Sequence, residues 1–300
     1  VHPLAPQLLW ALEGADVVHT HHTRSAPSRV AALAAQARGQ RLVTTDHGLG
    51  GGGWFGLLPA LFDRFLTVSR FSACVLGVPV GRTRVVYGGA DPRRFAPDPD
   101  LRRGGVLSVG RLTPHKGIDR LIRAMPDGAR LTVAGTGGHD ARPPERDYPL
   151  LLRRLAGGRD VAFPGAVADA DLPGLHRAAA VFVLPTVKED CFGRHFAISE
   201  LLGLSVLEAM ASGTPVIASR LDALPEVVRD GETGFLVTPG DVDELRDRLA
   251  QLLADRALAA RMGRHGRELL LEQFTWQACA QRCLAAYDEL LAPGAHSGAV

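Results

Sequence analysis

Residues 181–218 read as strand, helix and strand in close succession, and that order constrains the fold more than any other stretch. Val181-Phe182-Val183-Leu184-Pro185 is a short apolar run closed by proline, the signature of a buried strand. Val206 to Ala211 has helical composition, and Thr214-Pro215 turns the chain into a second strand, Val216-Ile217-Ala218. Two glutamates eight apart, Glu200 and Glu208, bracket the start of that helix. Acidic groups at a strand-to-helix junction sit outside the carboxyl ends of the strands, where open α/β sheets bind ligands. Taken alone, both carboxylates fit solvated helix-edge positions as well.

The alternation extends both ways. In the first half, residues 3 to 14 read as a helix, Ala15 to His22 as a strand, Arg29 to Arg38 as an alanine-rich helix and Leu42 to Thr45 as a strand. Leu57 to Leu66 is a helix candidate, Phe65 to Ser69 a short strand or its continuation, and Thr83 to Tyr87 a strand. A Pro/Asp/Arg-rich stretch from Pro92 to Gly105 then breaks the rhythm. Beyond it, strands are expected at 106–109, 130–134, 160–163, 181–184 and 216–218. Helices are expected at Ile118–Met125, Tyr148–Ala156, Leu172–Ala179, from Val242 on, and near Trp276–Leu290. The organisation is therefore two α/β domains, 1–96 and 97–300, each built of βα units around a parallel sheet. The first offers only about four strands where a Rossmann-like sheet has about six. Its exposed sheet edge leads us to expect residues ahead of Val1, or a second chain covering that edge.

Charge narrows the partners. The 300 residues carry a net charge of +2, with 34 basic residues interspersed among 32 acidic ones, so no nucleic-acid or membrane-surface signal stands out. Lys116 and Lys188 are the only lysines. Cysteines 74, 191, 279 and 283 form no CxxC pair and no zinc-ligand spacing, which suits a reduced cytosolic protein. No apolar stretch reaches membrane-spanning length.

Three constellations carry chemistry. Gly110-Arg111-Leu112-Thr113-Pro114-His115-Lys116-Gly117 follows a strand and precedes a helix, gathering backbone N–H groups and two cations where a diphosphate could sit. It is neither a P-loop nor a GxGxxG fingerprint. Gly135-Thr136-Gly137-Gly138 is either a second backbone approach to the same ligand or a plain turn. His19, His21, His22 and His47 end two adjacent strands; a metal site there lacks zincin spacing, whereas His47, between Asp46 and Gly48, could orient or deprotonate a sugar hydroxyl.

From about Asp16 to Tyr287 these motifs together resemble the retaining, nucleotide-sugar-dependent glycosyltransferases of family 4, with the two-domain GT-B fold. Val109-Gly110-Arg111 with Lys116-Gly117 is similar to that family's diphosphate loop, and Glu200 to Glu208 to its paired-glutamate motif. Glu208 through Val216, the block Pro225 to Asp241, and Thr45-Asp46-His47-Gly48 also match. The resemblance implies two Rossmann-like domains facing across a cleft, the first shortened, and transfer of a hexosyl group from a nucleotide-diphosphate donor to a hydroxyl acceptor. It implies catalytic roles for His47, Arg111, Lys116 and Glu200. Donor contacts would come from Gly110, Arg111, Lys116, Gly137, Gly203, Leu204 and Glu208. Glu208 would bind the ribose hydroxyls and Glu200 the transferred sugar. No metal and no cofactor are implied, the acceptor being a small molecule, glycolipid or oligosaccharide, and the location cytoplasmic, at most peripheral at the inner membrane face. The alternative is a non-catalytic nucleotide-sugar-binding partner subunit.

Three departures from that family pattern stand out. The strand and glycine-rich loop that usually precede the Asp-Val-Val-His segment are absent. Lys188 to Ser199 is inserted before Glu200 and carries its own Glu189-Asp190-Cys191-Phe192-Gly193, a partial echo of the motif. Asp222-Ala223 stands where many members have Gly-Gly.

Overall fold

The computed structural model describes residues 6–23, 25–47, 58–77, 80–138 and 143–292. The chain divides into two compact units, residues 1–88 with 277–300, and residues 89–276.

The first unit is built on a four-stranded parallel sheet, β1 (Val17–His21), β2 (Arg41–Asp46), β3 (Arg64–Thr67) and β4 (Thr83–Val85), in chain order. Helix α1 (Leu8–Ala11) precedes β1, α2 (Ala26–Ala37) connects β1 to β2, and α3 (Arg70–Leu76) follows β3 towards β4. Alternation along β2 and β3 sorts the core onto two faces. Leu42 and Phe65 pack with Val18, Phe62 and the alanines of α2, whereas their neighbours Val43 and Leu66 pack with Val86, Ala286 and Leu290. Ala286 and Leu290 belong to the last helix, α11 (Trp276–Leu291), so α11 returns to cover the second face of the first sheet. Arg84 clamps it there, 2.8 Å from Glu289. The sequence division at 96/97 counted this helix with the second half; the contacts place it with the first.

Two more expectations change. The helix expected over 57–66 is a short 3-10 turn, Leu58–Leu61, followed by strand β3 from Arg64, because pairing with β2 overrides the local apolar spacing. Ser69 is not strand but the N-cap of α3, where it and Ser72 bond each other's backbone N–H groups. The N-terminal helix is confined to Leu8–Ala11 among the described residues, and the glycine run 50–53 lies outside them.

The second unit carries a six-stranded, all-parallel sheet. Its strands are β5 (Val106–Val109), β6 (Leu131–Ala134), β7 (Val161–Gly165), β8 (Val181–Leu184), β9 (Val216–Ser219) and β10 (Gly234–Val237), in the order β10-β9-β8-β5-β6-β7. Helices α4 (Ile118–Ala124), α5 (Tyr148–Leu155), α6 (Leu172–Ala178), α7 (Leu204–Ala211) and α8 (Leu224–Val227) link them, and α9 (Val242–Ala254) and α10 (Arg256–Gln273) follow. Every residue of β8, β9 and β10 is buried, which is why all three are apolar apart from Ser219 at the end of β9. β10 is an edge strand that the sequence reading did not assign.

The strand order fixes where a ligand can go. Chain order proceeds outward from β5 in one direction as far as β7, and from β8 in the other as far as β10. β5 and β8 are neighbours, so the loops leaving their carboxyl ends diverge and open a crevice between them. Those loops contain Gly110–Gly117 and Pro185–Gly203. Among the described residues no helix is long and apolar enough to cross a membrane.

Candidate active site

Leaving β5, the chain at Gly110 meets the chain leaving β6 at Gly135. A Cβ on Gly135 would stand 1.8 Å from the Gly110 carbonyl oxygen, so only glycine permits this approach. Two backbone bonds lock it, from the Gly110 N–H to Ala134 (3.0 Å) and from the Leu112 N–H to Thr136 (2.8 Å). The loop then closes as a 3-10 turn, Pro114–Lys116, ended by Gly117 at φ +67°. Gly137 meets only ordinary contact, 3.5 Å to Pro149 from a hypothetical Cβ.

That turn aims Lys116 at the loop from β8. Lys116 Nζ lies 2.6 Å from Glu200 Oε2, with side-chain exposures of only 13% and 15%, so two residues 84 apart in sequence form one mostly desolvated ion pair at the switch point. Glu200 Oε1 also accepts the Leu201 N–H at 3.2 Å. Arg111 is exposed and makes no ion pair among the described residues, which leaves a full guanidinium fork free for an anion. Between these cations, His115 is half-buried, and burial, reinforced by Lys116 and Arg111, pulls its pKa from 6.5 down to about 4.

The sign of that shift gives a test. A histidine neutral in the folded state and free to charge in the unfolded one contributes stability that is fully present above about pH 6.5. That contribution is lost as pH falls through about 4. The melting temperature of His115→Leu should therefore decline less steeply than the parent's between these limits. Parallel curves for the two proteins would remove His115 from the account.

On the other side of the crevice, Gly203 at φ +88° starts α7, whose first N–H groups have no partner within the helix. Leu204 therefore stands at a helix N-terminus suited to an anion. Glu208 lies one turn further along. Its carboxylate is 3.5 Å from Nε2 of His176, a wholly buried ring on α6 packed between Phe95 and Phe182. The structure thus brings Lys116 and Glu200 into contact and gives Glu208 a separate neighbour, which the eight-residue spacing did not foretell.

In the first unit the histidines do converge. His21 Nδ1 and His47 Nε2 are 3.1 Å apart, so one ring donates and the other accepts, and both rings stack. His19 is held by the Tyr287 hydroxyl at 2.6 Å and by Thr45 Oγ1 at 2.8 Å. Burial, then His21 and His47, lower its pKa to about 4, so it stands as a neutral hydrogen-bonding strut. Tyr287 was invisible as a site neighbour from sequence, lying 268 residues from His19. His47 itself is exposed, and among the described residues no group of three or more His, Cys, Asp or Glu is disposed to hold a metal. Gly48 lies outside the described residues.

The profile of the glycosyl transferases group 1 family matches residues 92–269, more than half of the chain, and that of glycosyltransferase family 4 matches residues 2–94. The chain belongs to this glycosyltransferase family. It is 37% identical over 238 residues to a GDP-mannose-dependent alpha-(1-6)-phosphatidylinositol monomannoside mannosyltransferase of Mycobacterium tuberculosis, covering 72% of this chain and 58% of that protein. A protein of the same description from Mycolicibacterium smegmatis is 33% identical over 285 residues, covering 83% of this chain and 70% of its own. The chain thus spans a little over half the length of the first relative and somewhat more of the second.

Among solved structures, sucrose-phosphate synthase from Thermosynechococcus elongatus superposes with a TM-score of 0.73 at 26% identity, over 94% of this chain and 75% of that one. Anabaena Alr3699/HepE, solved in complex with UDP, gives 0.78 at 21% identity, over 95% and 81%. These glycosyltransferase neighbours and the two parallel sheets make the fold GT-B, with the first sheet the smaller. Within this family member, the crevice between β5 and β8 holds Gly110, Arg111, Lys116, Glu200, Gly203 and Leu204 on the two diverging loops and the helix that follows.

Proposed function

We propose that the chain transfers a hexosyl group from a nucleotide-diphosphate sugar to a hydroxyl acceptor with retention of configuration, without metal or cofactor. The Lys116–Glu200 pair carries this reading: a mostly buried cation and a carboxylate meet at the switch point of the second sheet, beside a free arginine and a helix N-terminus. A diphosphate needs positive charge and N–H donors; the sugar attached to it needs a carboxylate for its hydroxyls. Arg111 and Lys116 hold the leaving diphosphate and stabilise the charge that grows on it as the glycosidic bond breaks. Glu200 receives the sugar hydroxyls, Glu208 the ribose, and His47 of the first unit the sugar or acceptor hydroxyls. A departing phosphate oxygen takes the acceptor proton, so no side-chain nucleophile is assigned.

GDP-mannose is the first donor to test, because both mycobacterial relatives carry that dependence in their descriptions. Their acceptor, a phosphatidylinositol mannoside, makes a glycolipid hydroxyl the first acceptor class, with the chemistry on the cytoplasmic side. Calorimetry with GDP, UDP, ADP and dTDP tests the site: one nucleotide should bind in the micromolar range, and failure of all four would sink the reading.

The two glutamates divide the labour. Glu208→Ala should weaken bare nucleotide by about 1–3 kcal/mol, the scale for losing a charged hydrogen-bond partner. Glu200→Ala should spare bare nucleotide and lower donor turnover. Equal weakening of bare nucleotide by both would show the division to be wrong.

A further inference from the structure

Asp222 occupies a backbone conformation that favours glycine, at φ +51°, yet its side chain is only 2% exposed. A non-glycine residue in the left-handed region is strained, and a buried carboxylate is costly unless it is fully paired. Here every demand is met. Oδ2 accepts the Ser199 N–H at 2.7 Å and the Glu200 N–H at 3.0 Å, and Oδ1 lies 2.5 Å from Lys188 Nζ.

The segment between Lys188 and Ser199 is likewise stitched rather than loose. Lys188 Nζ donates to the Ala197 carbonyl at 2.7 Å, the Phe196 N–H to the Lys188 carbonyl at 2.8 Å, and Ser199 Oγ to the Val187 carbonyl at 2.9 Å. It also reaches back to the phosphate loop, through the Val187 N–H to the His115 carbonyl at 2.8 Å and the Phe196 ring 5.0 Å from His115. Lys188 pairs with Asp222, as Lys116 pairs with Glu200.

We propose that Asp222, braced by Lys188, is a positioning residue that holds the Glu200 backbone so that its carboxylate meets Lys116 and reads the transferred sugar. Asp222 does not touch the donor; it acts through Glu200. The stitched segment 188–199 and the Asp222 carboxylate then act as one device: the segment leads the chain to Glu200, and Asp222 fixes the backbone N–H groups of Ser199 and Glu200 at its end. This assignment rests on the donor site described above and adds the group that sets its discrimination between a bare nucleotide and a nucleotide sugar.

The test uses GDP and GDP-mannose as probes, with calorimetric affinities and donor turnover read for the parent, Asp222→Gly and Asp222→Asn. Glycine relieves the backbone at 222 but removes the acceptor for two N–H groups; asparagine keeps an acceptor oxygen and loses the charge that Lys188 neutralises. For Asp222→Gly, GDP affinity should stay within about twofold, while the affinity advantage of GDP-mannose over GDP and the turnover each fall about tenfold, the scale of one charged hydrogen bond. Asp222→Asn should recover most of both. Equal loss of GDP and GDP-mannose affinity, or no change in either, would overturn the proposal. So would an asparagine variant no better than glycine. Should the glycine variant fail to fold, the near-isosteric asparagine variant decides alone, through a small but measurable fall in the same ratio. A parent that binds neither probe, nor any other nucleotide of the panel, would overturn the donor-site reading itself, which separates the two failures.

Discussion

Lys116→Ala should lower sugar transfer by about 10²–10³-fold, the loss typical when a fixed group facing transition-state charge is removed. The argument is electrostatic. Charge on the leaving diphosphate peaks as the glycosidic bond breaks, so a cation fixed beforehand in a mostly dry position stabilises the transition state more than the bound donor. The observed 2.6 Å pair with Glu200 supplies that fixation, because it holds the ammonium in place before donor arrives. It also raises a rival explanation, that Lys116 is simply one arm of a structural salt bridge. The two readings separate on stability. Both side chains keep some exposure, 13% and 15%, so water can re-enter beside Glu200 and the melting temperature should drop by only a few degrees. Glu200→Gln added to Lys116→Ala should recover that stability without recovering rate. Should the single variant lose its fold while a refolded fraction keeps full transfer, the structural reading would stand instead.

How much of this was legible beforehand depended on whether a residue's signal was local. β8 and β9 were readable because strands buried on both faces are unbroken apolar runs bounded by a proline and a turn. The glycine-framed loop with Lys116 was readable because strand, loop and helix follow one another directly in sequence. α3 was missed because its signal is a capping box of two serines, Ser69 and Ser72, rather than an apolar stripe. β3 was blurred into a helix because Leu58, Leu61 and Phe62 have helical spacing, and only pairing of Arg64 to Thr67 with β2 decides the matter. The home of α11 was out of reach for a different reason: a helix near Trp276–Leu290 is readable locally, but Ala286 and Leu290 find Val43 and Leu66, more than 200 residues away.

The site divided in the same way. Residue types and loop positions were visible, whereas partnerships were not, since Lys116 meets Glu200 across 84 residues and Glu208 turns instead to His176. Asp222 was noticed only as a missing glycine. Its function became visible once three donors were seen around its carboxylate.

Gly117→Ala should be among the most damaging single-methyl changes in the second unit's site. Two independent costs coincide there. Gly117 sits at φ +67°, where any L side chain is strained by on the order of 1 kcal/mol. Its absent Cβ would also lie 2.0 Å from the Pro185 carbonyl oxygen, which is backbone at the end of β8 and cannot rotate away. Overpacking of that kind adds about 1–3 kcal/mol, so the variant should lose about 2–4 kcal/mol in all. The only relief is for the loops leaving β5 and β8 to separate. That movement pulls Lys116, the residue just before, away from Glu200, which is carried by the loop that begins at Pro185. Stability and nucleotide binding should therefore fall together, unlike in Lys116→Ala, where transfer falls and stability hardly moves. Chemical unfolding and calorimetry on the same preparation read both quantities, and Gly158→Ala serves as the control. Gly158 has a similar φ of +78° but open space where its Cβ would go, so it should show the backbone cost alone. Equal losses in the two glycine variants would mean that the contact with Pro185 is relieved without moving the loop, and that the close approach of these two strand ends does not hold the site together.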